Sequence, residues 1–585
     1  MAFATRPTLS GFGGAVTAGH YLATQIGAQI LAEGGNAADA ACAMGFALQV
    51  LEPHQNGPAG EVPILVYAAA EDRTHAISGQ GTAPAAATIE AFDALGLDRI
   101  PPDGLLAATV PAALDAWCLL LERFGTRRLA DVLAPARGIA ERGFPMYPLL
   151  RGLLKALEPR FREAWPTSAA IYLPLRDVGA PQTNPPLAAF CAALIAAERA
   201  AGGSRELGIR AARDHFYRGV VAEQIERFVR EPIADASGRS HAGLLRADDL
   251  AAYEGRVEQA IFSDYRGARV WKCPPWSQGP VFLQQLRLLE GYELGAMPRS
   301  DALHTWIECA KLAFADREAC YGDPRFADVP LEELLSEAYA TARRRLVDPE
   351  RASLELRPGI GRLPEGWPWV FGDEAEAAAG EAERLRLGRA DTTQLTAADA
   401  AGNLVSATPS GGWILTSPAV PELGFPVGTR AQMFSLDAEH PNGLAPGKRP
   451  RTTLSPSLAL LADGRRLAFG TPGGDQQDQW SLHFFLQLVD FGLPDLQEAI
   501  DAPSLHSDHA PSSFYPRWAQ PGRVAAEERI DSDVLAALES RGHRIRRSGA
   551  WDHGRVTAVA RDAASGRFEA AASPRFRLAY AAALP

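Results

Sequence analysis

A long polar segment divides this chain into two parts and limits where a hydrophobic core can form. Residues 346–390 are rich in Glu and Arg, whereas the sequence on both sides carries the apolar patterns of regular structure. A segment of this composition buries too little apolar surface to form a core of its own, so we predict a long surface segment, partly mobile. The packed structure must therefore be built from the sequence before it and the sequence after it.

The sequence before the segment predicts mainly helices. "HYLATQIGAQILAEGG" has apolar residues at helical spacing and ends at Gly34-Gly35, a helix-terminating signal, and "NAADAACAMGFALQVLEP" is apolar on most sides, as a buried helix is. "VPILVYAA" predicts a buried strand. We predict residues 105–345 to be mostly helical, interrupted by one extended stretch, "ARVWKCPP".

The sequence after the segment predicts strands first. The runs "TTQLTAAD", "NLVSATP", "PSLALLAD" and "RLAFGTPGG" are followed by helices at "QWSLHFFLQLVDFG" and "DSDVLAALESRG" and by a hairpin around Ser565-Gly566. Strands on both sides of the segment, together with many helices, predict a layered α+β or α/β fold in one large unit.

Charge and cysteine content exclude several classes of function. The net charge of −12 argues against a binding face for nucleic acid or an anionic membrane. The apolar runs are too short to span a bilayer, and the first residues lack the pattern of a signal peptide, so we expect a cytoplasmic protein. Six scattered cysteines without a C-x-x-C pair predict buried free thiols, and we expect no metal and no cofactor.

Two adjacent threonines, Thr392 and Thr393, follow Asp391 at the start of a predicted strand. An ordinary threonine-rich strand explains this pattern. The alternative is a nucleophile, which needs a base beside its hydroxyl, and no neighbouring histidine supplies one. If the peptide bond before Thr392 is cut, the new α-amine becomes the base for the hydroxyl of the same residue.

Two further stretches carry polar or flexible groups of the kind that acyl-transfer sites use. In "FGTPGGDQQDQW", Gly473 and Gly474 would let backbone N–H groups point into a cavity as an oxyanion hole requires, although a plain turn also fits and the phosphate-loop patterns are absent. In "PGKRPRTTLSPSLAL", the hydroxyls of Thr452 and Thr453 follow three basic residues and could donate to a substrate carboxylate, or form a solvated turn.

Several motifs, in the same order along nearly the whole chain, resemble the gamma-glutamyltransferase family of N-terminal nucleophile hydrolases. "EGGNAADAA" resembles the family's E/Q-G-G-N-A-x-D-A-A, and "LEPHQNGPAGEVPILVY" resembles x-E-P-x-x-x-G-x-G-G-G-x-x-x-L-x-Y. "ADREACYGDPRFADVP", "GKRPRTTLSP" and "GTPGG" resemble later motifs of the family. The resemblance implies a four-layer αββα sandwich with an α+β fold and a nucleophile that is released by self-cleavage.

The resemblance assigns roles to individual residues. The nucleophile falls on Thr392 and the cut between Asp391 and Thr392, giving a large subunit of residues 1–391 and a small subunit of residues 392–585 that together form one structural domain. The helper hydroxyl falls on Ser410, and the oxyanion hole on Gly473 and Gly474. The implied partners are a small-molecule amide and water or an amine acceptor, in a heterodimer whose higher assembly stays open.

The departures from the family pattern lie in the substrate pocket. Gln80 stands where the family has an arginine for the substrate α-carboxylate, and Gly412 and Met433 stand where it holds the α-amine. Gln394 replaces the histidine that follows the threonine pair. The substrate-binding positions Thr452 and Thr453 keep a hydroxyl, and Arg430 offers a replacement cation.

These departures favour a substrate without the amino-acid head group. Loss of the groups that hold this head would remove several kcal/mol of binding, at roughly 1.5–3 kcal/mol for each charge-assisted hydrogen bond. We therefore expect an acyl donor without the free α-amine, such as a glutaryl amide. Two alternatives are a true gamma-glutamyltransferase or glutathione hydrolase, and an uncleaved non-catalytic binding protein.

Overall fold

Two seven-stranded antiparallel sheets form the centre of the computed structural model, which describes residues 4–363 and 392–585. Their strands, numbered in chain order, are β1 (Leu9–Gly11), β2 (Gly14–Ala18), β3 (Ile64–Ala68), β4 (Arg73–Ile77), β5 (Val257–Gln259), β6 (Ile261–Tyr265), β7 (Ala268–Lys272), β8 (Leu395–Asp399), β9 (Leu404–Ala407), β10 (Ser457–Leu460), β11 (Arg465–Gly470), β12 (Thr557–Asp562), β13 (Phe568–Ala572) and β14 (Tyr580–Leu584).

Each sheet combines strands from both sides of the polar segment. Sheet I has the order β1-β13-β12-β11-β10-β7-β6, and sheet II has the order β14-β2-β8-β9-β3-β4-β5. Strands β8 and β9 form a hairpin in the middle of sheet II, with β2 and β3 of the first part on either side. The sequence after the polar segment therefore cannot form either sheet without the sequence before it.

The described residues also form helices, several of which cover the outer face of each sheet. They are α1 (Tyr21–Ala32), α2 (Ala37–Leu51), α3 (Ile89–Ala94), α4 (Ala113–Phe124), α5 (Leu129–Arg142), α6 (Pro148–Glu163), α7 (Pro166–Tyr172), α8 (Pro185–Ala201), α9 (Arg205–Tyr217), α10 (Val220–Val229), α11 (Ala247–Ala251), α12 (Gly279–Leu289), α13 (Arg299–Cys320), α14 (Leu331–Leu334), α15 (Glu337–Arg344), α16 (Gln477–Val489), α17 (Leu496–Asp501) and α18 (Ser532–Ser540).

Short pieces complete the described structure. Paired strands are Phe144–Pro145 with Pro181–Gln182, Ile233–Ala234 with Ser240–His241, and Ala419–Val420 with Phe425–Pro426, and a small sheet joins Leu505–Ser507, Arg523–Glu527 and Arg544–Ser548. Single 3₁₀ turns lie at Ala69–Glu71, Leu294–Ala296, Arg430–Met433 and Gly474–Gln476. Within residues 4–363 and 392–585, no helix combines the length and apolar character that a bilayer crossing requires.

Three apolar clusters produce the four layers. The inner faces of the sheets meet through small and apolar side chains such as Ala398 and Leu404 of sheet II and Ala468 and Val559 of sheet I. A second cluster joins sheet II to the helices on its outer face, chiefly α1, α2, α4, α5 and α8, and a third joins sheet I to α12, α13 and α16. This arrangement confirms the predicted α+β sandwich, since each sheet is packed on both faces.

Helix α2 shows how the sequence produces this packing. The Asn36 side chain accepts the backbone N–H of Asp39, and the Asp39 side chain accepts that of Asn36, which is a capping box at the helix start. Every residue of α2 is buried. At Gly45 a Cβ would lie 2.3 Å from the Trp117 ring, so only glycine permits this close contact with α4.

Most predicted elements are confirmed, including both first helices, the strand at Ile64–Ala68 and the C-terminal hairpin of β12 and β13. The expectation of a single extended stretch within residues 105–345 is wrong, because β5 and β6 precede β7. Strand β5 is an edge strand with solvent-facing residues, and such strands lack the apolar run by which buried strands are recognised. All six cysteines are buried and free, as predicted.

The predicted surface segment is described only in part. Residues 346–363 belong to the described structure, and Leu346 and Leu354 within them are exposed. The remainder of the segment and Asp391, the residue before the predicted cut, lie outside the described residues.

Candidate active site

Thr392 and Ser410 meet at the start of strand β8. The two residues form an antiparallel bridge next to the β8–β9 hairpin, and the Thr393 N–H donates to the Pro409 carbonyl at 3.0 Å. The hydroxyl oxygens of Thr392 and Ser410 lie 3.1 Å apart, within hydrogen-bond distance. Both residues are buried. The hairpin therefore brings together the predicted nucleophile and the predicted helper hydroxyl.

The Arg430 side chain contacts the Ser410 hydroxyl. Its Nη2 donates to Ser410 Oγ at 2.9 Å, and its guanidinium forms an ion pair with Glu61. Both charged groups are 1% exposed, and the guanidinium lies over the rings of Trp413 and Phe514. Burial raises the pKa of the Glu61 carboxyl, although the Arg430 charge opposes this shift. Arg430, the cation predicted to replace the family's arginine, thus lies in the site and already has one anionic partner.

Gly473 and Gly474 form the turn between β11 and α16. Both have positive φ values, 134° and 57°, and a Cβ on Gly473 would lie 2.1 Å from the Trp480 ring. Residues with side chains rarely adopt such backbone angles, so the turn depends on glycine. Ser406 of β9 donates to the Phe469 carbonyl at 3.0 Å, which places the end of β11 against the strand that leads to Ser410.

Three predicted substrate-binding side chains lie in two loops. Gln80 and Thr453 are buried, and neither the Gln80 amide atoms nor Thr453 Oγ1 has a hydrogen-bond partner among the described residues. Thr452 Oγ1 accepts the Leu454 N–H at 3.3 Å. Because buried polar atoms are nearly always hydrogen-bonded, the open atoms of Gln80 and Thr453 are suited to a ligand or an ordered water.

The positions that hold a substrate amine in the resembling family offer no carboxylate here. Met433 is buried, and its sulfur lies 3.7 Å from Arg430 Nη1. Gly412 has a φ of 64° and packs against the backbone of Gly57, where an added Cβ would approach the Gly412 carbonyl oxygen to 2.7 Å. A cationic ammonium group gains no charged acceptor from either residue.

Gln394 has a structural role at the start of β8. Its Nε2 donates to Ser406 Oγ at 3.1 Å and to the Leu395 carbonyl, and its Oε1 accepts from Thr408 Oγ1 at 2.7 Å. The side chain thus links the two strands of the hairpin and lies against Gly470 of β11. It occupies the position of the family's histidine with its hydrogen bonds satisfied.

Arg555 is a candidate site residue that the sequence analysis missed. Its Nη2 donates to the carbonyl of Thr392 at 3.3 Å, its Nη1 donates to Gln55 Oε1 at 3.1 Å, and its backbone N–H donates to Thr471 Oγ1 at 2.8 Å. The residue lies 163 positions after Thr392 in a loop that reads as an ordinary polar turn. The only sequence signal is a basic residue within "WDHGR", which is too common to indicate a site.

The Glu52 carboxyl lies close to the Thr393 hydroxyl. Burial raises the pKa of its carboxyl to about 7, while the Thr393 hydroxyl and the Arg555 charge oppose this shift. Gly19 makes the approach possible, since a Cβ there would lie 2.2 Å from Thr393 Oγ1 and 3.0 Å from Glu52 Oε2. A group that titrates near neutral pH therefore lies beside the strand that carries Thr392.

One group of metal-ligand side chains lies away from this site. Ligand atoms of His304, Glu308 and His543 lie within 4.8 Å of one another. However, His304 Nδ1 and His543 Nε2 are 2.8 Å apart, a hydrogen-bond distance, and Lys311 Nζ lies 2.6 Å from Glu308 Oε1. The lysine charge and the occupied carboxylate disfavour a cation, so we interpret this group as a hydrogen-bonded cluster.

Comparisons with known proteins agree with this geometry. The sequence model of the family described as Gamma-glutamyltranspeptidase matches residues 23–583. The chain is 34% identical to the Acylase ACY 1 proenzyme of Pseudomonas sp. (strain SE83), over 92% of this chain and 88% of that protein. Other relatives are named glutathione hydrolase proenzyme.

Solved structures show the same fold along the whole length. A structure of LmbA2991 is 47% identical, covers 99% of this chain and 100% of its own, and has a TM-score of 0.92. The cephalosporin acylase from Bacillus halodurans is 31% identical, with a TM-score of 0.83 over 100% of this chain and 98% of its own. The chain therefore belongs to the gamma-glutamyltranspeptidase family and is an amide hydrolase or acyltransferase of that family.

Proposed function

We propose that this chain is a precursor that cuts itself before Thr392 and then hydrolyses or transfers the acyl group of an amide that lacks a free α-amine, such as a glutaryl amide. The observation that carries the proposal is the 3.1 Å contact between the hydroxyls of Thr392 and Ser410 at the start of a buried strand. The Ser410 hydroxyl also accepts a hydrogen bond from the buried Arg430 guanidinium at 2.9 Å, so a polar group holds it beside Thr392.

The self-cleavage needs only groups of the precursor and one water molecule. Thr392 Oγ attacks the carbonyl carbon of Asp391, the C–N bond to Thr392 breaks, and the proton that the hydroxyl loses passes to the Thr392 nitrogen, which becomes a free amine. Water then hydrolyses the resulting ester, which restores the Thr392 hydroxyl and leaves Asp391 with a free carboxylate. The product carries a nucleophile whose own α-amine can act as the base.

The acyl-transfer step uses the same hydroxyl on an external amide. Thr392 Oγ attacks the amide carbonyl, its proton passes by way of the α-amine to the leaving amine, and an ester to the enzyme forms. We assign the backbone N–H groups of Gly473 and Gly474 to the developing oxyanion. Water or a second amine then attacks the ester and releases the acyl group, which completes hydrolysis or transfer.

The residues around the site support a donor without an ammonium group. The Glu61 carboxylate beside Ser410 is already paired with Arg430. Arg430 Nη1, Thr453 Oγ1 and the Gln80 amide are the candidate donors for a carboxylate or carbonyl at the far end of the acyl chain. Relatives named acylase and cephalosporin acylase also support this class of donor.

A panel of anilides tests the donor class. Release of aniline from glutaryl, succinyl and γ-glutamyl anilides would be measured at equal enzyme concentration, and we expect the largest kcat/KM for glutaryl or succinyl. A clear preference for the γ-glutamyl compound would instead identify a true gamma-glutamyltransferase or glutathione hydrolase, the activity named in other relatives.

Thr392→Ala tests the nucleophile. The purified wild type should give two fragments on a denaturing gel, with a new N-terminus at Thr392, and the variant should stay one chain without activity. Two fragments from the variant would refute the assignment of Thr392. An intact wild-type chain would support the alternative of an uncleaved binding protein.

A further inference from the structure

Ser410 belongs to a closed ring of three buried residues. The Glu61 N–H donates to the Ser410 carbonyl at 2.9 Å, and the Ser410 N–H donates to the Glu61 carbonyl at 2.9 Å. The Glu61 carboxylate then holds Arg430, and Arg430 Nη2 returns to Ser410 Oγ at 2.9 Å. Glu61 thus holds the backbone of Ser410, and Arg430, which Glu61 itself holds, contacts the Ser410 side chain.

The ring restricts the direction of the Ser410 hydroxyl. A guanidinium can only donate hydrogen bonds, so Ser410 Oγ accepts from Arg430 and its own proton must point elsewhere. Thr392 Oγ1 lies within reach of that proton at 3.1 Å. Without Arg430, the hydroxyl would rotate among staggered positions, and only some of these face Thr392.

The surroundings hold Arg430 in one orientation. The guanidinium carbon of Arg430 lies over two aromatic rings, 4.7 Å from the centroid of the Trp413 ring and 5.6 Å from that of the Phe514 ring. Glu61 and Arg430 are each 1% exposed, so water does not compete for their contacts. A buried charge whose partner is removed is strongly unfavourable, which makes each member of the pair depend on the other.

We propose that Arg430, held by Glu61, is a positioning residue that directs the Ser410 hydroxyl at Thr392 and thereby sets the rate of self-cleavage and of acyl transfer. This inference rests on the proposed function, because it assigns Thr392 as the nucleophile. It differs from a role of Arg430 in binding the donor, since self-cleavage involves no external donor.

The test measures self-cleavage of freshly purified precursor by denaturing gel and intact mass. We expect Arg430→Gln and Glu61→Gln to slow cleavage on the order of ten- to a hundred-fold, the loss typical of a misplaced reacting group. Arg430→Lys, which keeps the charge but not the planar fork, should recover part of the rate. The matched control is Arg213→Gln, which breaks the partly buried Arg213–Asp115 pair elsewhere in the fold and should cleave at the wild-type rate.

A double-mutant cycle separates positioning from a general loss of structure. Ser410→Ala removes the hydroxyl through which Arg430 acts, so Arg430→Gln should cause no further slowing in the Ser410→Ala background. Equal slowing in both backgrounds, or wild-type cleavage by Arg430→Gln, would overturn the proposal. If Arg430→Gln does not fold, the same cycle with Glu61→Gln decides.

The outcomes also separate this inference from the proposed function. An intact wild-type precursor contradicts the proposed function itself. A wild type that cuts itself, together with Arg430 variants that cut equally fast but bind glutaryl anilide with a raised KM, contradicts positioning and leaves Arg430 as a donor-binding residue.

Discussion

Asp475, which directly follows Gly474, accepts a hydrogen bond from Arg317 Nη1 at 2.5 Å. Arg317 belongs to α13 before the polar segment, so this contact joins the Gly473-Gly474 turn to the other part of the chain. Asp475 also accepts the Ser513 N–H and hydroxyl. Burial alone would raise the pKa of Asp475, but Arg317 and Ser513 outweigh it and hold the pKa below its usual range.

We predict that Asp475→Asn lowers kcat on the order of ten- to a hundred-fold and changes KM little. The substitution removes the charge that fixes the turn, and an oxyanion hole loses its effect when its donors shift. Steady-state kinetics on the best anilide donor would show this. Asp495→Ala, which removes the cap of α17 and the acceptor of the Thr8 hydroxyl, is the matched control and should retain kcat. Equal losses in both variants would indicate a loss of fold and not of positioning.

Gln394→Ala should destabilise the fold. It leaves the buried Thr408 hydroxyl without its acceptor and opens a cavity between β8 and β9, which together cost about 2–4 kcal/mol of unfolding free energy. Gln394→Met fills the space without the hydrogen bonds and should lose less. Urea unfolding would be measured in the Thr392→Ala background, where we expect the protein to remain one chain. Unchanged stability of Gln394→Ala would contradict the structural role.

Arg555→Met should lower kcat by roughly ten-fold, because the Thr392 carbonyl loses the cation that holds it and the proposed nucleophile becomes less well placed. Arg555→Lys should recover part of the activity. The comparison is Arg465→Met, since Arg465 pairs with Asp463 and Glu569 on a different part of the fold. If the Arg555→Met and Arg465→Met variants have equal kcat on the same donor, Arg555 has no part in the site.

Glu52 predicts a pH dependence of stability. Its pKa rises from 4.5 in the unfolded chain to about 7 in the fold, so between these values the folded protein keeps a proton that the unfolded chain has released. Stability should therefore fall as pH rises through this window, by up to about 3 kcal/mol, and Glu52→Gln should lack this component. Urea unfolding at several pH values in the Thr392→Ala background measures it. Parallel pH profiles for the two proteins would contradict the assignment.

Local sequence was sufficient for the elements with strong patterns. The helix Ala37–Leu51 and the strand Ile64–Ala68 follow from apolar spacing and from clear end signals. Strand β2, "GAVTA", and strand β14, "YAAAL", were missed, since glycine and alanine favour no strand by themselves. Their extended form comes from pairing with each other and with β8, which is a property of the assembled sheet.

The fold class, the family and the candidate nucleophile Thr392 could be predicted from the sequence, because local apolar patterns and contiguous motifs indicate them. Only the tertiary structure showed that Glu61, Ser410 and Arg430 form one ring, and that Arg555 and Arg317 support Thr392 and the glycine turn. These contacts join residues up to hundreds of positions apart, and the charged residues involved are common in any sequence. Each sheet contains strands from both parts of the chain. The partners of these charged residues are therefore determined only when the two sheets pack together and exclude water.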